Sequence, residues 1–214
     1  REPRAVPDDV VEDLFAVLDC HRDRALFAMF LSSGARAAEL LGMTVDDARP
    51  GEGRIYVRSK GMRGVKQPCP ASPEAFAWLT LYLGELALTE GLRPGPGEAL
   101  WWTRRHPLRP LTYTALRAVL NRINTRIGAT ITVHDLRHTL CLRLIEDPDI
   151  SLVDVQQVMR HRWITTTSGY LRPRPDEVIA RVAEHYARPR RPMGQPTGWD
   201  FDPTDLTDLF GTSR

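Results

Sequence analysis

Six side chains scattered along the chain are of types that together could hold an anion and attack it. Arginine offers a planar fork of donors that suits a phosphate, and histidine can exchange a proton near neutral pH. A tyrosine hydroxyl can act as a covalent nucleophile when its negative charge is supported. The order Arg, Lys, His-x-x-Arg, His, Tyr therefore predicts phosphoryl transfer to a tyrosine. The six residues are Arg36, Lys60, His134, Arg137, His161 and Tyr170.

Hydrophobic periodicity and turn residues predict the elements that position these side chains. The chain is expected to be mainly helical with a small antiparallel β-hairpin, an α+β fold. Strand-like alternation over 54–58, a turn at 59–64 and a return over 65–68 place Lys60 near the hairpin tip. The predicted helices are 8–18, 22–32, 36–41, 73–88, 112–127, 133–146, 151–160 and 176–186.

Two of these helices carry candidate residues on one face. Arg36 and Glu39 are three residues apart, so Glu39 either orients Arg36 or forms an exposed ion pair of small worth with it. His134 and Arg137 have the same spacing near the start of their helix. A helix N-terminus carries free N–H groups and partial positive charge, which favour an anion.

Composition sets limits on the class of protein. The chain has 214 residues, enough for one domain, and a net charge of only +2. Of its 29 basic residues 27 are arginines, which reflects either genome composition or selection for phosphate binding. No apolar run could span a bilayer, and three scattered cysteines favour a reducing compartment. Basic clusters suit a DNA backbone, although each could be a solvated helix face: 104–106, 117–126 and 160–162.

The ordered motifs resemble the catalytic domain of tyrosine recombinases, the group that includes phage integrases and chromosome-dimer resolvases. The resemblance covers roughly residues 7–186. Segment 33–40 (SGARAAEL) is similar to the family's Thr-Gly-Leu-Arg-x-Ser-Glu-Leu box, and 59–63 (SKGMR) to its Gly-Lys-Gly-x-Lys hairpin. Segment 134–139 (HDLRHT) resembles the His-x-Leu-Arg-His-Thr box, and 160–170 (RHRWITTTSGY) the Gly-His…Thr-Thr-x-x-Tyr segment.

This resemblance implies a role for each candidate. Arg36 and Arg137 would clamp the phosphate, with Glu39 in support. Tyr170 would be the nucleophile, and Lys60 the general acid for the 5′-hydroxyl leaving group. His161 would hydrogen-bond the phosphate. His134 would be a phosphate donor or the base that accepts the tyrosine proton.

The implied activity is site-specific DNA recombination or integration by two transesterifications through a 3′-phosphotyrosine. Bond energy is kept in the covalent link, so we expect no metal and no other cofactor. The expected partner is double-stranded DNA in the cytoplasm, with a homotetramer on paired sites and a monomer or weak oligomer without DNA. No membrane association is expected.

We expect a catalytic domain over 1–188 and a Pro- and Gly-rich tail over 189–214. The tail is either flexible or docked on its own domain or a neighbour's. Family members carry an upstream helical domain that completes a clamp around DNA. We therefore expect a fragment, or a one-domain member with weaker binding.

Three positions depart from the family pattern: Ala35, Ser59 and Arg160. Arg160 stands where the family has glycine. If that position is left-handed, arginine there costs about 1 kcal/mol, and it could add a phosphate contact. Candidate DNA contacts are Arg63, Arg104, Arg105, Arg160 and Arg162.

Three alternatives remain open at this point. His134 and His138 have the spacing of a zinc helix, but Asp135 replaces the usual glutamate and no third ligand is evident. A non-catalytic DNA-binding module of the same fold is the second alternative. The third keeps the chemistry in a type IB topoisomerase-like or telomere-resolving strand transferase.

Overall fold

The computed structural model describes residues 5–58 and 65–160. Within these ranges the chain forms helices and one antiparallel sheet, as the sequence predicts. The helices are α1 Asp8–Ala16, α2 His21–Ser33, α3 Ala37–Leu41, α4 Pro73–Thr89, α5 Tyr113–Ile127, α6 Val133–Glu146 and α7 Leu152–Met159. The strands are β1 Ala48–Arg49, β2 Arg54–Arg58 and β3 Lys66–Pro70.

The sheet has the order β1-β2-β3, and Ile55 of β2 pairs with Ala48 on one side and Cys69 on the other. The hairpin of β2 and β3 agrees with the predicted one. Strand β1 was not predicted, because two residues between short 3₁₀ turns show no alternating pattern.

Helix α2 is the centre of the core. Its residues from Ala25 to Phe30 are all buried, and it packs against α4 and α6. A helix that is apolar on every side must be surrounded by other elements. Its two ends therefore sit at fixed places in the domain, and the segment that follows Ser33 starts from a rigid support.

Polar side chains fix where several helices begin. Thr132 accepts a hydrogen bond from the backbone N–H of Asp135 at the start of α6, and Ser151 accepts one from Asp154 at the start of α7. In each pair the aspartate carboxylate accepts a hydrogen bond from the backbone N–H of the capping residue. Backbone donors that lack a partner within the helix are satisfied in this way. The positions of Arg137 on α6 and of the last turn of α7 depend on these caps.

None of the helices in the described ranges is long and apolar enough to cross a membrane. Several predicted features lie outside those ranges: the hairpin turn, the helix at 176–186 and the tail.

Candidate active site

Arg36 lies in the turn between α2 and α3, and Glu39 holds it there. Gly34 ends α2 in the left-handed conformation, with φ of 60°, which reverses the chain before Arg36. The carboxylate of Glu39 accepts the backbone N–H of Arg36 at 2.8 Å and its Nη1 at 3.0 Å. The Glu39 side chain is only 4% exposed, against 46% for Arg36. The pair is thus a buried carboxylate that aims a solvent-facing guanidinium, not an exposed ion pair.

Arg137 reaches the same place from α6. It is buried, and its Nη2 donates to the carbonyl oxygen of Met159 at the end of α7. Its Nη1 is also buried and has no hydrogen-bond partner among the described residues. A buried donor of this kind is costly unless something binds to it.

Electrostatics shows that the arginines form one cluster. Burial is the largest cause that lowers the pKa of Arg137, to about 10, and the positive charges of Arg36 and Arg160 act in the same direction. The carboxylate of Glu39 opposes them. Arg137 still stays protonated at neutral pH. Among the described residues, three guanidinium groups around one carboxylate give a net charge of +2.

Arg160 ends α7 with φ of 51° and ψ of 43°, the left-handed conformation considered from sequence. Its side chain is 10% exposed and turns into the protein. Nη2 donates to Glu39 at 2.6 Å and to the carbonyl oxygen of Gly34 at 3.2 Å. The guanidinium that was considered as a DNA contact is therefore engaged inside the domain.

The two histidines of α6 differ in exposure. His134 is exposed in the first turn, whereas His138 is half-buried, and their ring centroids lie 5.4 Å apart. Burial and then the neighbouring His134 lower the pKa of His138. No three metal-ligating side chains come together anywhere in residues 5–58 and 65–160.

Three of the six predicted residues lie outside the described ranges, namely Lys60, His161 and Tyr170, as do Arg63 and Arg162. Lys60 belongs to the connection between β2 and β3, and His161 directly follows Arg160. The other lysine of the hairpin, Lys66, forms an ion pair with the buried carboxylate of Asp47. Lys66 therefore stabilises the contact between β3 and the 3₁₀ turn that contains Asp47.

Arg104 and Arg105 lie elsewhere. Both are exposed in the segment between α4 and α5, where they line an open cavity of about 400 Å³ together with Arg22. Arg22 is in the first turn of α2, while Arg36 follows its last turn. Thirteen helical residues separate these ends by about 20 Å. The structure does not bring this basic cluster to the Arg36 site.

Two contributors to the site escaped sequence reasoning. The sequence could not predict the contact with the Met159 carbonyl oxygen, because every residue has a backbone carbonyl. Gly34 was not among the predicted site residues, yet a Cβ added there would lie 2.9 Å from Sδ of Met159. This close approach lets the turn that carries Arg36 pack against the end of α7. The result is a converging set of cations with an unfilled donor, suited to a phosphate.

Comparison with known proteins agrees with this geometry. The phage integrase family matches residues 4–177. The chain therefore belongs to the phage integrase family, and the resemblance inferred from the motifs is confirmed.

Curated relatives carry the same kind of name. Tyrosine recombinase XerD of Lacticaseibacillus casei is 28% identical over 170 residues, which are 79% of this chain and 56% of that protein. Tyrosine recombinase XerC of Azotobacter vinelandii is 31% identical over 187 residues, or 86% of this chain and 58% of that protein. The chain thus spans less than two thirds of the length of either relative.

Solved structures share the fold. XerA recombinase superposes with a TM-score of 0.66 at 22% identity, covering 89% of this chain and 68% of that one. The Tn1549 transposon integrase gives a TM-score of 0.68 at 18% identity, covering 85% and 66%. The predicted fold class, mainly helical with a small antiparallel sheet, is confirmed.

Proposed function

We propose that this chain is the catalytic domain of a site-specific DNA recombinase or integrase that cleaves and rejoins strands through a 3′-phosphotyrosine on Tyr170. The observation that carries the proposal is the unfilled, buried Nη1 of Arg137 in a cluster that also contains Arg36. A scissile phosphate between the two guanidinium groups would fill that donor and neutralise part of the cluster's charge.

The reaction balances with the residues that the motifs supply. The Tyr170 oxygen forms a bond to phosphorus, the bond from phosphorus to the 5′ oxygen breaks, and Lys60 gives that oxygen its proton. His134 accepts the tyrosine proton or donates to the phosphate, and His161 donates to the phosphate. A 5′-hydroxyl of another strand then attacks the phosphotyrosine and releases Tyr170.

The two arginines provide electrostatic support for this step. A phosphodiester carries one negative charge, and attack by a phenolate brings a second into the transition state. The net charge of +2 around Glu39 matches that demand. Groups fixed in advance around developing charge are usually the largest contribution to such a rate.

Double-stranded DNA is the proposed partner. XerH site-specific recombinase has been solved bound to difH substrate, and the Tn1549 integrase in complex with circular intermediate DNA. From the motif resemblance we further propose a homotetramer on paired sites in the cytoplasm. From the composition of the tail at 189–214 we propose that it reaches between protomers. Deleting 196–214 should then weaken assembly on DNA and spare binding to a single site.

The decisive experiment incubates the full chain with nicked DNA that carries the end sequence of its parent element. We expect a covalent adduct that survives denaturant, and none from Tyr170→Phe, which should still bind the DNA. An adduct that persists in Tyr170→Phe, or no adduct from the unaltered chain, would overturn the proposal. Relaxation of supercoiled DNA without a specific site would instead favour a topoisomerase-like strand transferase.

A further inference from the structure

The backbone of Arg160 has a left-handed conformation, which is unfavourable for a residue other than glycine. A non-glycine residue in the left-handed region is strained, and in the described ranges Arg160 alone adopts it. Such strain persists only where surrounding contacts hold the residue in place. The contacts that hold Arg160 are therefore informative about what it does.

These contacts join three separate elements. Besides Glu39 and Gly34 near the start of α3, Arg160 reaches the thiol of Cys69 on β3, with Nη1 at 2.6 Å from Sγ. The same Nη1 donates to the carbonyl oxygen of Val158 at 3.2 Å. Burial raises the pKa of the Cys69 thiol, so the thiol stays neutral. Among the described residues, Glu39 is thus the charged partner of Arg160.

Glu39 divides its two carboxylate oxygens between two arginines. Oε1 accepts from Nη1 of Arg36, and Oε2 accepts from Nη2 of Arg160 and from the backbone of Arg36. A carboxylate held from both sides cannot rotate, so it presents Arg36 in one orientation. Without Arg160, the carboxylate would lose one of the two arginines that hold it among the described residues.

We propose that Arg160 is a positioning residue for Arg36, which it orients through Glu39 and the Gly34 carbonyl. This inference rests on the proposed function, since it assigns Arg160 to the phosphate site rather than to a DNA surface. Arg160 directly precedes His161 in the sequence, and its side chain contacts the turn that carries Arg36. It also contributes one of the positive charges that leave the cluster at +2.

The test measures single-turnover formation of the covalent adduct with saturating protein on the nicked substrate. Arg160→Gly relieves the backbone strain and removes the guanidinium. We expect cleavage to slow by about tenfold to a hundredfold, as misplaced catalytic groups commonly cause. Arg160→Lys keeps the positive charge but lacks the planar set of donors, so it should cleave faster than Arg160→Gly and more slowly than the unaltered chain. Arg143→Ala is the control, because it removes an exposed arginine that is paired with Asp8.

Salt dependence separates positioning from DNA contact. Loss of a phosphate contact lowers the slope of log affinity against log salt by about 1. We expect Arg160→Gly to leave that slope unchanged. A lowered slope, with cleavage restored at saturating protein, would show that Arg160 contacts DNA and would overturn the inference.

A double variant tests whether Arg160 acts through Glu39. In the Glu39→Gln background, Arg160→Gly should slow cleavage by clearly less than it does in the unaltered chain, because the shared carboxylate is already gone and only the contact with the Gly34 carbonyl oxygen remains. If the rate reductions of the two single variants multiply in full in the double variant, Arg160 does not act through Glu39. Thermal unfolding checks each variant, and Arg160→Gln replaces Arg160→Gly if the latter does not fold.

The two proposals fail differently. If the unaltered chain forms no adduct, the proposed function is wrong. If it forms the adduct and Arg160→Gly cleaves as fast as Arg143→Ala, only the role of Arg160 is wrong.

Discussion

Arg137 donates to the carbonyl oxygen of Met159, the last residue of α7, across 22 residues of sequence. One side of the guanidinium fork thus holds α7 against α6, while Nη1 has no partner among the described residues and can bind a ligand. The same side chain therefore links the assembly of the site to its proposed chemistry.

Arg137→Lys should slow formation of the covalent adduct by on the order of a hundredfold to a thousandfold. A single ammonium cannot serve the Met159 carbonyl and a phosphate in the two directions that the fork covers. Single-turnover cleavage at saturating protein measures the effect. Arg143→Lys on the same helix is the matched control, since Arg143 forms an exposed pair with Asp8. Equal rates for the two variants would contradict the prediction.

Substitution of Lys60 should slow cleavage, whereas substitution of Lys66 should lower stability. Lys60→Ala should cleave ordinary DNA slowly because the 5′ oxygen needs a proton to leave. A substrate with sulfur in place of that bridging oxygen should restore the rate, since a thiolate leaves without one. Lys66→Ala removes the partner of the buried Asp47, so it should lower the free energy of unfolding. Failure of sulfur to rescue Lys60→Ala would exclude the general-acid role.

Gly34→Ala should destabilise the domain more than Gly53→Ala does. Both glycines have positive φ, 60° and 63°, so each substitution carries a backbone cost of about 1–2 kcal/mol. At Gly53 a Cβ meets nothing within 4 Å, whereas at Gly34 it would meet the buried Met159 at 2.9 Å. Urea unfolding of both variants gives the difference. Equal losses would mean that the turn does not pack against the end of α7.

His138 should make stability fall as the pH is lowered through its titration range. Its pKa is lowered from the ordinary value of 6.5, chiefly by burial, so below that value the unfolded chain takes up the proton first. The contribution is present above 6.5 and is lost as pH falls through the folded pKa.

Unfolding free energies without DNA, between about pH 5 and pH 8, check this, with His138→Asn as the comparison. The variant should show a shallower slope. Asp46 and Asp154 also have lowered pKa values, but from 3.8, so they act at more acidic pH. If the free energy of unfolding changes with pH equally in His138→Asn and the unaltered chain, His138 is not the group responsible.

Sequence patterns predicted most of the described fold because its helices are long, periodic and capped. Helix α6 has the predicted bounds of 133 and 146, and the other predicted helices in these ranges agree to within two residues at each end. The short strand β1 was missed because its pairing with β2 depends on a distant partner rather than on its own residues.

Residue types and order by themselves predicted the kind of chemistry, because only a few side chains can clamp a phosphate and attack it. They also determined that Glu39 could reach Arg36, since residues three apart on a helix are neighbours. Tertiary structure alone decided that Arg160 turns inward to that same carboxylate, 121 residues away in sequence. It also decided that Arg104 lies at the far end of α2. Packing fixes such distances between elements, and no local pattern records them.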